Sequence, residues 1–146
     1  MSRRSYVLAA VVVAIPLAGS VHATVVARDA WVRGMIPILH ETVAYVTLTS
    51  TEDAKVVAVS TPLARRAQMH ASNMAGGVMH MEVVDTLALP ADTPVQLKPG
   101  GTHVMLMEVA HMLKPGETVP LEFTIENAKG QRSRLEVKAL VRPLAE

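Results

Sequence analysis

The sequence predicts an all-β domain, an antiparallel sandwich or barrel. Three observations predict it: short segments rich in Val, Thr and Leu recur along the chain, turn residues separate them, and no stretch carries apolar residues at helical spacing. In order, strands are expected near 25–33, 43–49, 55–60, 65–71, 77–83, 94–98, 103–109, 118–126 and 132–141. The joints carry turn chemistry, with Gly76-Gly77, "KPGG" at 98–101, "KPGE" at 114–117 and "NAKG" at 127–130. A mostly aliphatic core is expected from Trp31, Tyr45, Val46, Leu48, Val57, Val59, Val104, Leu106, Leu121, Phe123, Ile125, Leu135 and Val137.

Ahead of the first strand, Arg3-Arg4 precede an apolar run from Tyr6 to Leu17 and then Val21-His22-Ala23, the pattern of a signal peptide cut before Thr24. Residues 1–23 are therefore read as a cleaved leader and 24–146 as one domain. The run falls short of the roughly 20 apolar residues that span a bilayer, so a soluble, exported, periplasmic protein is expected. "SRRSY" is compatible with either the general or the twin-arginine export route. Cleavage removes two of the 14 basic residues, leaving 12 against 13 acidic ones and a formal charge of −1, with nothing that suggests a nucleic-acid surface. The chain has no cysteine, which argues against disulfides, Cys-linked lipid, Cys-zinc sites and blue-copper thiolate chemistry. In an exported chain of this kind a soft metal has to be held by Met and His.

Those two residue types are concentrated. Residues 69–112 contain seven Met and four His in 44 positions, while the rest of the predicted mature chain has only Met35 and His40. Methionine is also a flexible filler of cores, and alternate residues of a strand can form one buried face. Strand geometry separates the two uses. Residues two apart share a face at about 6.6 Å, so His103 and Met105 can converge on one ion. The hairpin at 69–81 offers His70 before its turn and Met81 after it, completing a tetrahedral set of His70, Met81, His103 and Met105. Two thioethers and two imidazoles are neutral donors that suit Cu(I). A set that leaves the cuprous charge uncompensated favours passing the ion to a thiolate-bearing acceptor over retaining it.

The spacing of His70, ten residues, Met81, twenty-one residues, His103, one residue and Met105 resembles the signature of the periplasmic copper chaperones called the PCuAC family. Similarity extends through "DAWVRGMIP" at 29–37, "AYVTLTS" at 44–50, "GVMHMEVV" at 77–84, "LKPGGTHVMLM" at 97–107 and "LKPGETVPLEFTIE" at 113–126. The resemblance implies a cupredoxin-like Greek-key β domain carrying one Cu(I) near its surface toward the copper centres of a respiratory oxidase. Its implied partners are the copper-accepting oxidase subunit and a thioredoxin-like Sco protein. The implied ligands are the same four residues. Some relatives carry a Met- and His-rich C-terminal tail, whereas this chain ends "LVRPLAE".

Among the remaining candidates, strict alternation sets Met79 on the face of Met81 and turns His80 away. Met107 is expected as a wall beneath Met105, while Met74 is open between a rim or docking surface and ordinary loop variation. His40, His111 and Met112 have no assigned role. An enzyme is not expected, because the chain has no Gly-rich phosphate loop, nucleophile elbow or cysteine nucleophile. Two alternatives compete with copper delivery: copper sequestration for resistance, which shares the site, and a metal-free interaction module with a Met-rich surface.

Overall fold

The computed structural model describes residues 23–144. The predicted leader, apart from Ala23, lies outside the described residues. Among them, ten strands follow in order: β1 (Val25–Arg33), β2 (Thr42–Ser50), β3 (Ala54–Ser60), β4 (Ala64–Ala75), β5 (Val78–Val84), β6 (Leu87–Leu89), β7 (Val95–Leu97), β8 (His103–Val109), β9 (Thr118–Asn127) and β10 (Arg132–Arg142). The strands pair in the order β5-β4-β8-β2-β1-β10-β9-β3-β6, and β7 adds to β2. Most neighbours are distant in sequence, so the sheet folds over itself and encloses a core between its halves. Every pairing between strands is antiparallel except β1 with β10, which aligns Trp31 with Leu140 and Val32 with Val141 in parallel. No helix among the described residues is long and apolar enough to cross a membrane.

The core follows from alternation. On one half Val46, Leu48, Met69, Val104 and Leu106 face inward, and on the other Val56, Leu121, Phe123, Ile125, Val137 and Ala139 meet them. Phe123 is fully buried, and such a side chain contributes about 1.5–3 kcal/mol relative to exposure. Three expected core residues, Val57, Trp31 and Tyr45, lie outside the central cluster. Val57 is only half-buried, because a register shift between Val56 and Ala58 in the pairing of β3 with β9 puts Val56 in the interior instead. Trp31 is half-buried and lies outside the central cluster. Its ring is 4.6 Å from that of Tyr45, and the Arg142 guanidinium lies 4.7 Å from its centre. Tyr45 is buried but also outside the central cluster. The carboxylate of Glu126 bonds Arg132 and Lys55, which hold it below the usual carboxylate range.

Two features of this architecture set up the functional face. β5 is an edge strand exposed at every position from Val78 to Val83, so the β4–β5 hairpin projects from the body. The turn at 98–101 closes on itself through the Gly101 amide donating to the Lys98 carbonyl, immediately before β8.

Candidate metal centre

β4 and β8 pair with Gln68 opposite Met105, Met69 opposite Val104 and His70 opposite His103. Met69 and Val104 are buried in the core. Alternation therefore turns Gln68, His70, His103 and Met105 to the other face of the sheet, in two adjacent rows. Across the hairpin His70 is opposite Val83 and Ser72 is opposite Met81, so Met81 shares this face. On the far side of β8, Val43 is opposite Met105.

The two histidines form the centre of the arrangement. His103 is 4% exposed. Its Nδ1 lies 3.0 Å from the Gly101 carbonyl, which can only accept, so Nδ1 carries the proton and Nε2 presents its lone pair. That Nε2 is buried and has no hydrogen-bond partner, a costly state for a polar atom unless a ligand uses it. His70 is half-buried, and its Nε2 lies 3.2 Å from Gln68 Oε1. With the amide oxygen accepting, Nε2 donates and Nδ1 is the free donor for a metal. The two ring centres are 5.9 Å apart at 64°. An ion about 2 Å from one nitrogen of each ring lies roughly 3 Å from each centre, so this separation admits one ion between them. Desolvation, followed by the neighbouring His103, lowers the His70 pKa below the ordinary imidazole value, which keeps the ring in the neutral form that binds metal.

The thioethers are placed less symmetrically. Met105 is half-buried two residues from His103, and it lines a surface pocket of about 200 Å³ with Arg33, Ile36, Leu39 and Val43. Met81 is 60% exposed. Relative to His70 it lies one strand out and two residues toward the hairpin turn, whereas Met105 lies one strand inward and two residues the other way. With strands about 4.8 Å apart and a rise of about 3.3 Å per residue, a flat sheet would separate their Cα atoms by roughly 16 Å. His70, His103 and Met105 thus occupy neighbouring positions, and Met81 stands apart from them on the projecting hairpin.

The other Met and His residues have different roles. Met35 and Met69 are core residues, and the Met35 sulfur accepts the Leu113 amide. Met107 is half-buried opposite Arg66, a partial wall beside the site, and His80 is exposed on the opposite face of β5. His40 has a positive φ of 51°, and its carbonyl accepts the Val109 amide, so its role is in the backbone. His111 pairs with Glu117 at 3.6 Å, and Met112 is exposed. Among the described residues no group of three or more His, Cys, Asp or Glu is arranged to hold a metal ion. Gln68 and Gly101 were absent from the expected site. Gln68 could have been found by alternation from His70, and Gly101 by the tight turn two residues before His103.

Comparisons with known proteins agree with this architecture. The family model for LpqE-like lipoproteins matches residues 25–138. The solution structure of apo-DR1885 from Deinococcus radiodurans is 31% identical, with 98% of this chain and 97% of that chain covered at a TM-score of 0.60. The solution structure of CuI-DR1885 from the same organism is 36% identical over 78% of this chain and 75% of that one, with a TM-score of 0.56. The copper-bound PCuAC domain from PmoF2 shares the fold at 19% identity, covering 84% and 98% of the two chains with a TM-score of 0.66. A comparison with curated proteins returned no match. Because the family model spans most of the chain and the Deinococcus relative aligns along nearly all of it, the chain belongs to the LpqE-like family of PCuAC-type domains.

Proposed function

We propose that this protein is a Cu(I) carrier that binds its cargo through His70, His103, Met105 and Met81. The observation that carries the reading is the buried, unpartnered Nε2 of His103, on a ring whose centre is 5.9 Å from that of His70. Kinship with a protein solved in a CuI form supports the choice of ion, as does the pairing of imidazole with thioether sulfur. The hydrogen bond from His103 Nδ1 to Gly101 fixes the tautomer that offers Nε2, and Gln68 fixes the orientation of His70. Cu(I) held by neutral donors on a projecting face is open to attack by a thiolate of an acceptor, the chemistry of transfer.

The wider assignment belongs to the same proposal. The protein acts in the periplasm after export and delivers copper toward respiratory-oxidase copper centres, directly or through a thioredoxin-like Sco protein. Competitive titration with a chromophoric Cu(I) chelator tests the binding step. One tight equivalent is expected, and the Met81→Leu, Met105→Leu double variant should lose most of that affinity. Unchanged affinity in the double variant would remove the two thioethers from the site. Copper transfer to an apo oxidase copper domain under reducing conditions supports delivery, whereas retention supports sequestration.

A further inference from the structure

The hairpin carries more sulfur than the four-residue site uses. Met74 is directly opposite Met79, and Met81 is opposite Ser72 two pairs further from the turn. Alternation puts Met74, Met79 and Met81 on the face that carries His70, while Asn73, His80 and Glu82 project from the other. All three methionines are in solvent, at 66%, 58% and 60% exposure. Directly opposed side chains have Cβ atoms about 4.5–5.5 Å apart and diagonal neighbours sit at about 7–8 Å. Three flexible thioether side chains at those distances can bring their sulfurs to one ion with bonds of about 2.3 Å.

An exposed apolar strip on an edge strand can also serve as a docking surface. Methionine is frequent on such adaptable surfaces as well, and only a metal-binding tip brings its sulfurs to a soft ion. Met81 belongs both to this cluster and to the proposed four-residue site, so the two sets share a ligand. We propose that Met74, Met79 and Met81 form a second, weaker soft-metal site at the hairpin tip, which receives Cu(I) and passes it inward to His70 and His103 through Met81. In the transfer the Met81 sulfur stays bound, the Met74 and Met79 sulfurs leave, and the free ring nitrogens of His70 and His103 take their places. The ion remains Cu(I), and no proton or electron is exchanged. Binding at the tip is independent of the carrier reading above, and only the direction of transfer rests on it.

Ag(I), a redox-inert substitute for Cu(I), tests this by titration of protein labelled at the methionine methyl groups and histidine rings, followed by NMR. The His103 and Met105 signals should complete their shifts with the first equivalent, and the Met74 and Met79 methyls with the second, held more weakly because Met81 is already engaged by the first ion. The Met74→Leu, Met79→Leu variant should keep the first ion and lose the second. In the His70→Ala, His103→Ala variant the Met74 and Met79 methyls should respond from the first equivalent. A response of Met74 and Met79 with none at His103 and Met105 supports the tip site and overturns the four-residue site alone. The tip site is overturned if the two methyls stay unmoved through two equivalents, or if the leucine variant still takes up a second ion.

Discussion

The rings of His103 and His70 stand on directly opposed positions of β8 and β4 with their centres 5.9 Å apart, and the buried His103 Nε2 has no protein partner. A buried acceptor left unpaired costs about 1–3 kcal/mol, which a bound ion relieves. Loading with Cu(I) or Ag(I) should therefore stabilise the fold. At a free metal concentration of 100 times Kd the gain is about 2.7 kcal/mol, on the order of 10 °C in Tm for a domain of this size. Thermal unfolding with and without metal measures it, and an unchanged Tm under saturating Ag(I) would contradict an ion at this position.

Gln68 should matter for copper although it is not a proposed ligand. Its amide oxygen accepts from His70 Nε2 and so holds the ring with Nδ1 free. Loss of such an outer contact typically weakens metal binding by about 10–100-fold. Gln68→Ala is expected to fall in that range in chelator competition while unfolding at nearly the wild-type denaturant midpoint. Wild-type affinity in Gln68→Ala would mean that His70 needs no such support.

Copper affinity should be flat through neutral pH and fall under acid. Desolvation and the neighbouring His103 lower the His70 pKa from its ordinary value, so protons compete for this ring only below the usual imidazole range of about 6.5. The same shift acts on apo stability. The folded state binds fewer protons at His70 than the unfolded state, so stability is undiminished above the unfolded pKa and declines as pH falls through and below it. Denaturant titrations of wild type and His70→Gln across that range should show the wild-type decline reduced in the variant. An identical decline in both proteins would place the titrating group elsewhere.

Gly34 tests the fold independently of the metal. A Cβ there would lie 2.8 Å from the Arg142 carbonyl oxygen and from the Leu144 amide nitrogen, both backbone atoms. Gly34→Ala should cost about 1–3 kcal/mol, the usual range for overpacking, and leave Cu(I) stoichiometry unaltered in the folded protein. Equilibrium denaturation checks the first expectation and chelator titration the second. A neutral substitution would mean that the C-terminal strand moves freely away from β1.

Local pattern made most of the strands legible. β1 and β8 have the expected bounds because alternating apolar residues end at clear turn signals, whereas β4 runs on to Ala75 because the hairpin ladder continues through polar Ser72 and Asn73. β6, only Leu87–Leu89, is too short to show a period and exists through its pairing with β3. The parallel pairing of β1 with β10 joins the two ends of the domain and has no local signature. Spacing singled out His70, His103 and Met105, which fall on one face in adjacent rows, because residues two apart on a strand share a face. The asymmetry between Met105 and Met81 was not visible, since it depends on which strand pairs with which and in what register.

X-ray absorption on the reduced, copper-loaded protein, at one equivalent, tests the central claim most directly. Two nitrogen scatterers near 2.0 Å and two sulfur scatterers near 2.3 Å around the copper are expected, distances ordinary for imidazole and sulfur donors. A shell of nitrogen and oxygen alone, with no sulfur, would contradict an ion shared between His70, His103 and the thioethers.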